Sequence, residues 1–343
     1  MADLGSTNDR IGTEEELVAR MTEPTPDVTE AVGKIEGDIM ILGIAGKMGL
    51  TLGELLVRAG ASGVIGVSRF SNPTDRDQLE EKGIKTEKCD LTDDKGLGQL
   101  PDAGHIILLA GHKFGSTGNE SLTWAMNTLL PAKVMQRFPE SRIIYVSSGN
   151  VYQFTNPESR GADESSALGP IGEYAQSRLG GERLVEFYAE RNNTPVAIIR
   201  LFYATELRYG IILDIAQNIW NRKPIDLSMG YVNQIWQGDA NAYLARCFPF
   251  CESPARVLNL TGTEALSVRE IAEQLGELMG VEPILEGEET ATALLGNTNE
   301  LVSLLGPPKV SSQDIVHWVS GWVMGEGRTL GKPTKYEARD GKF

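Results

Sequence analysis

From Asp38 onward the apolar positions switch repeatedly between two spacings. Short, mostly apolar runs at Ile39–Leu42, Val64–Val67, His105–Leu109, Arg142–Val146 and Val196–Leu201 have the length of buried strands, and the more polar Thr86–Cys89 reads as a further strand between them. Between them, Leu50–Ala59, Gln78–Lys82, Leu122–Phe138 and Tyr174–Arg191 carry apolar residues at helical spacing. Strand and helix signals that alternate in this way predict right-handed βαβ units and a parallel sheet. Past Leu201 the pattern loosens into helices at Ile211–Trp220, Asp239–Phe248, Ser267–Met279 and Ser312–Met324, with one short strand at Val257–Leu260. Ser267 and Glu270 predict a capping box for the third of these helices. The expected fold class is α/β, a doubly wound parallel sheet with a smaller C-terminal α/β lobe. Ligands in such sheets bind beyond the carboxyl ends of the strands.

The flanks read differently. In residues 1–37, Thr13 and Glu16 predict a capped helix over Glu14–Met21, which Pro24 and Pro26 end before a second helix at Asp27–Ile35. Three roles stay open for this extension: cover for the sheet, contact with a partner subunit, or solvated decoration. Residues 326–343 form a tail, and Thr329–Phe343, rich in Gly, Lys and charge, is expected to run extended over the surface. The intervening chain divides into a dinucleotide-binding part, 38–205 plus 235–263, and a substrate lobe, 206–234 plus 264–325.

Composition narrows the partners. The 343 residues are 41% hydrophobic, enough for a large core, and carry a net charge of −15, which repels nucleic acid and anionic membrane. The three cysteines Cys89, Cys247 and Cys251 form no C-x-x-C pair, so neither a disulfide framework nor a metal site is expected. The N-terminus has no apolar signal core, and no apolar run reaches membrane-spanning length. A reduced cytoplasmic compartment is the default expectation.

The first strand runs directly into Gly43, Gly46 and Gly49, a G-x-x-G-x-x-G spacing that also brings Ala45, Lys47 and Met48 into the turn. Glycines there open backbone N–H groups at a helix N-terminus, where a pyrophosphate meets both the amides and the helix dipole. The rival reading is a tight strand–helix turn that binds nothing.

Three further segments carry the candidate chemistry: Tyr145-Val146-Ser147-Ser148-Gly149-Asn150-Val151-Tyr152, Glu173-Tyr174-Ala175-Gln176-Ser177-Arg178, and Thr123-Trp124-Ala125-Met126-Asn127. With the glycine loop, Ile199-Arg200-Leu201-Phe202, Trp236-Gln237-Gly238-Asp239-Ala240 and Val257-Leu258-Asn259-Leu260-Thr261-Gly262, the chain resembles the extended short-chain dehydrogenase/reductase superfamily, in its NAD-dependent epimerase/dehydratase branch, over roughly residues 38–325. The resemblance implies a Rossmann-type sheet and an NAD(P)-dependent oxidoreductase or epimerase. Hydride would move at a carbinol or carbonyl carbon of a small polyhydroxylated or sugar-like substrate. It assigns Ser148 to polarising a substrate oxygen, Tyr174 to exchanging its proton, and Asn127 to holding a relay water. It also implies a homodimer built on the Leu122–Phe138 and Tyr174–Arg191 helices.

The chain departs from the family's Tyr-x-x-x-Lys at its last position, where Arg178 stands. Residues four apart are neighbours on a helix, and a cation beside a phenol favours the phenolate. Arginine keeps the charge but is planar and bulkier, so it does not simply replace lysine. Gly149 and Asn150 occupy the positions of the acidic pair found in sugar-nucleotide dehydratases, and Tyr203 follows Phe202 where many epimerases carry Asn.

The cofactor form rests on the end of the second strand. Ser68 and Arg69 stand where NAD-selective relatives place an acid, and the Arg fork matches a phosphate. With Lys47 as a second nearby cation, NADP(H) is favoured and NAD(H) possible. Asp90-Leu91 resembles an adenine-contacting pair, and Ala110-Gly111-His112-Lys113 the loop beside the nicotinamide ribose, with Lys113 a ribose or phosphate contact. His112, Asn150, Tyr203 and Arg208 are the substrate-contact candidates. The alternative from another class is a catalytically altered NAD(P)-binding sensor or interaction protein, for which Arg178 and the N-terminal extension speak.

Overall fold

The computed structural model describes residues 10–113 and 115–342. Seven parallel strands form the central sheet: β1 (Asp38–Leu42), β2 (Gly63–Ser68), β3 (Lys85–Lys88), β4 (His105–Leu108), β5 (Arg142–Ser148), β6 (Val196–Leu201) and β7 (Arg256–Leu260). Their order is β7-β6-β5-β4-β1-β2-β3, so the direction of winding reverses between β1 and β4. Loops diverge at such a reversal and leave a crevice at the carboxyl ends of the strands.

Both sheet faces are buried, as parallel sheets require. One face is covered by α3 (Gly49–Arg58) and α10 (Gln237–Arg246), whose Leu52, Leu56, Ala240 and Leu244 pack on Ile39, Ile41, Ile107 and Ile199. The opposite face packs Met40, Leu42, Ile106 and Tyr145 against α7 (Leu130–Arg137) and α8 (Gly172–Asn192). A separate core joins α9 (Ile211–Trp220), α11 (Val268–Met279) and α13 (Ser312–Met324) through Ile212, Ile215, Ile271, Leu275 and Val319. Shorter helices α4 (Pro73–Glu81), α5 (Asp94–Gln99) and α12 (Asn299–Leu305) lie in the connections.

The N-terminal extension is part of these cores. Its α1 (Glu14–Thr22) starts with the predicted Thr13–Glu16 capping box and buries Leu17 and Met21 against the α9–α11–α13 core. Its α2 (Pro26–Gly33) buries Val28 and Val32 against the sheet-side core. Cover is therefore the role observed, not solvated decoration. At Ser267 the cap is half formed: the hydroxyl accepts from the Glu270 N–H, with no reciprocal carboxylate bond.

The single helix expected over Leu122–Phe138 is interrupted. It runs as α6 (Glu120–Trp124), a π turn at Ala125–Leu129, and then α7. Pro131 has no N–H to give the Asn127 carbonyl four residues before it, and that carbonyl accepts the Tyr145 hydroxyl at 3.3 Å instead. Residues 329–342, expected to lie on the surface, instead bury Thr334 and Tyr336 against the α9 side of the molecule.

Candidate active site

The glycine loop lies at the β1–β4 reversal. Gly43 has φ +95°, and a Cβ on it would stand 2.8 Å from the Ala110 nitrogen, so β1 and β4 leave the sheet too close together for a side chain. Gly49 opens α3 with its Cα against the Ile44 backbone, where a Cβ would overlap the Ile44 carbonyl. Both glycines are thus required by packing as well as by the open amides at the helix start. Gly46, Ala45 and Met48 complete the same turn.

Ser148 ends β5, and Tyr174 and Arg178 lie on the first turns of α8; all three are buried. The Arg178 guanidinium donates to the Val146 carbonyl and stacks over the Tyr145 ring at 5.5 Å. Burial opposes its charge, but Tyr145, Tyr174 and Glu182 outweigh that, and a hydrogen bond with Tyr174 helps hold the arginine protonated. Its Nε and Nη1 are buried without a hydrogen-bond partner. A Cβ on Gly111 would lie 2.7 Å from Nη1, so the β4 loop passes directly over that donor. Donors left unmade in a buried site are costly unless a ligand meets them. A dinucleotide's ribose diol is the kind of group that fits, so the chain's residues are compatible with the cofactor the family implies.

The Ser148 hydroxyl donates to Asn150 Oδ1 at 3.0 Å and accepts from the Asn150 N–H at 3.2 Å. Asn150, read as a substrate contact, is thus the group that orients Ser148. Asn127, expected to hold a water, is held against the β4 loop. Its amide clamps the β4 loop, accepting from the His112 N–H at 2.8 Å and donating to the His112 carbonyl at 2.9 Å and to Ser177 Oγ at 3.0 Å. His112 Nδ1 lies 3.0 Å from Thr123 Oγ1, which ties that ring nitrogen to α6.

Lys47 also departs from expectation. Rather than joining Arg69, its ammonium donates to the Ala204 carbonyl at 2.5 Å and sits 4.1 Å from the Tyr209 ring centre. Burial lowers its pKa to about 7, against the pull of Glu206, with Lys113 and Arg208 adding to the drop. Lys113 points the same way, 5.2 Å from the Tyr203 ring centre and 5.8 Å from that of Tyr174, and burial lowers it to about 8 against Asp214. Tyr203 therefore does reach the site, with its phenol pushed up by burial. Arg208 is ion-paired at two of its nitrogens: Glu206 takes its Nε, and Glu14 of α1 takes Nη1 at 2.8 Å. At the far side Arg69 is exposed and within electrostatic reach of Asp90, whose carboxylate is itself turned onto Thr92. Ser68 is half-buried and Leu91 buried beside it.

Beneath the site lies a network that pattern reading missed. Ser147 donates to Glu182 at 2.6 Å, Glu182 pairs with Arg200 at 2.7 Å, and Arg200 donates to the Tyr152 hydroxyl at 2.7 Å, which donates to Asn259 at 2.9 Å. Glu182 is one helical turn beyond Arg178, so Tyr174, Arg178 and Glu182 share one face of α8. The i, i+4, i+8 spacing was visible in the sequence; that Arg200 meets Glu182 was not.

Residues 39–205 match the family model described as the NAD dependent epimerase/dehydratase family. Residues 39–205 carry that family's domain, just under half of the chain. Among curated proteins it is 26% identical over 183 residues to "Uncharacterized UDP-glucose epimerase YtcB" of Bacillus subtilis (strain 168), covering 48% of this chain and 55% of that one. It is also 26% identical over 139 residues to dTDP-4-dehydrorhamnose reductase of Mycobacterium tuberculosis (strain ATCC 25618 / H37Rv), covering 38% and 45%. The chain thus spans about half the length of these relatives. Among solved structures, UDP-glucuronic acid 4-epimerase from Bacillus cereus in complex with NAD superposes with a TM-score of 0.69 at 17% identity, over 84% of this chain and 98% of that one. UDP-glucose 4-epimerase of Thermus thermophilus in complex with NAD gives 0.68 at 17%, over 84% and 99%. These likenesses show the fold. Among the described residues, no helix is long and apolar enough to cross a membrane, and no group of His, Cys, Asp or Glu has metal-site geometry.

Proposed function

We propose that this protein is an NAD(P)-dependent oxidoreductase or epimerase acting on a sugar-nucleotide-like substrate. The observation that carries the reading is Arg178: a buried guanidinium beside Tyr174, with two donors still to be met, under the glycine loop and Gly111. Gly43, Gly46 and Gly49 would hold the pyrophosphate, Arg178 the nicotinamide ribose, and Asp90 and Leu91 the adenosine end. When bound, the nicotinamide supplies a reversible hydride acceptor. The chain's own part is the proton. Tyr174 takes the carbinol proton as the hydroxyl becomes a carbonyl and returns it on reduction, while Ser148 donates to the same oxygen. Arg178 places its positive charge beside the phenol that exchanges the proton.

NAD-bound neighbours and relatives bearing UDP- and dTDP-sugar names support a nicotinamide enzyme of this class. The Ser68–Arg69 pair keeps NADP(H) as the favoured form. A homodimer through α6–α7 and α8 is supported by Leu122, Leu129 and Phe187, large apolar residues about half exposed on those helices.

The experiment is to denature protein purified without added nucleotide and identify any released dinucleotide by chromatography and mass. Near-stoichiometric release supports epimerase-like recycling, and its identity decides between NAD and NADP. An empty protein that then titrates with NADPH or NADH supports a reductase. Failure to bind either dinucleotide overturns the reading.

A further inference from the structure

Residues 329–342 form a strap across the substrate side of the site. The Leu330 N–H donates to the Arg208 carbonyl at 2.9 Å. Thr334 donates to Asp214 on α9 through its N–H at 2.7 Å and its hydroxyl at 2.6 Å. Arg339 stacks on Phe154 at 4.4 Å and donates to the Thr292 carbonyl at 2.7 Å. The strap then reaches Gly172: both Gly341 and Gly172 have positive φ, and a Cβ on either would collide with the other's backbone, two residues before Tyr174. Tyr336 and Glu337 come within electrostatic reach of Tyr203. Anchored at both ends and through its middle, the segment is a wall of the site.

Under this wall is a cavity of about 240 Å³, bounded by Lys113 and Gly115 on one side and by Gly331 to Lys335 on the other. Among the described residues, its only ionisable linings are Lys113, Lys332 and Lys335. Three cations line it, with Asp214 behind them already taken by the Thr334 N–H and hydroxyl, on a chain of net charge −15. Lys113 also faces Tyr174 and Tyr203, which puts the cluster beside the reacting position rather than at the adenosine end.

We propose that the strap completes the substrate site and that Lys113, Lys332 and Lys335 hold a negatively charged group of the substrate, a carboxylate or a phosphate, next to the carbon that reacts. The inference deepens the function proposed above, yet its charge component can be tested without any nucleotide.

The full chain is acylated with a lysine-reactive ester, and each lysine's modification rate is read by mass spectrometry. The probes are inorganic phosphate, malonate, and chloride at matched ionic strength. Phosphate or malonate is expected to slow Lys113, Lys332 and Lys335 together by severalfold, leaving the exposed Lys95 and Lys223 unchanged; the more protective anion identifies the preferred group. In the K332A/K335A variant, whose substitutions are at exposed positions, the protection at Lys113 is expected to vanish with Tm unchanged. Equal slowing at the control lysines, no slowing at all, or protection of Lys113 that survives in the variant overturns the proposal. Titration with UDP-glucuronic acid and UDP-glucose then separates the two ideas. Tighter binding of the acid that is lost in K332A/K335A supports both. Anion protection with neither nucleotide bound supports the strap site and overturns the sugar-nucleotide reading.

Discussion

Arg178 serves three neighbours with one guanidinium: the Val146 carbonyl, the Tyr145 ring and the Tyr174 phenol. A lysine could meet only one or two of them, so Arg178→Lys is expected to lower dinucleotide affinity while leaving the helix intact, checked by NAD(H) and NADP(H) titration. Gly111→Ala acts on the same group from above, since its Cβ would stand 2.7 Å from Nη1. The expected loss is about tenfold in dinucleotide affinity, about 1.4 kcal/mol, with a smaller change in Tm. Tyr174→Phe is expected to reduce turnover by about 10²- to 10⁴-fold with dinucleotide binding retained. Unchanged turnover in that variant would favour the binding-protein alternative. Lys47 gives a pH signature. Its pKa falls from 10.5 to about 7 on folding, so between those values the unfolded chain holds the extra proton and stability rises with pH. Below about pH 7 the penalty of enclosing the charge is fully present. Lys47→Met is therefore expected to raise Tm at pH 6 more than at pH 10 in thermal melts.

Among the elements, the contact between α8 and the π turn decides where the β4 loop sits. Gly181 on α8 lies against the Asn127 carbonyl, and a Cβ there would overlap it. Replacing a helical Gly by Ala normally gains about 1 kcal/mol of propensity. Overlap with backbone in a packed interior costs about 1–3 kcal/mol and outweighs that gain. Gly181→Ala is expected to lower Tm and to loosen His112, measured by hydrogen exchange at its amide. Sequence pattern located most strands and helices because their signals are local. Val196–Leu201 is apolar except at Arg200, and the glycine loop follows its strand without a gap. Two helices escaped notice: α5, which carries two glycines, and α12, too short to show a period. The π turn was illegible because it depends on Tyr145 from another element reaching a carbonyl that Pro131 leaves open.

For the whole molecule, the candidate trio Ser148, Tyr174 and Arg178 came from the family resemblance, whereas its surroundings were not legible in the sequence. Arg208 looked available until α1 brought Glu14 to it, and Lys47 looked aimed at Arg69 until the Ala204 carbonyl and Tyr209 ring proved to be its neighbours. The strap's polar composition suggested solvent because its anchors are backbone groups and single residues such as Thr334. Assembly can be tested directly. Leu129 and Phe187 are about half exposed on adjoining helices, and charging both, as L129E/F187E, is expected to convert a dimer to a monomer in light scattering. A wild-type monomer would remove the dimer from the reading.

The placement of α1 also orders events during synthesis. Leu17 and Met21 emerge from the ribosome early, yet the side chains that bury them belong to α9, α11 and α13, from Ile211 onward. Until those helices are made, α1 can dock only on α3, where Thr22 meets Glu54 and Arg58. The sheet can close around β1 and β4 while translation continues, but the lobe beside it must wait for most of the chain. Part of the apolar stripe of α1 therefore stays uncovered until the second lobe is made, a natural ligand for ribosome-associated chaperones.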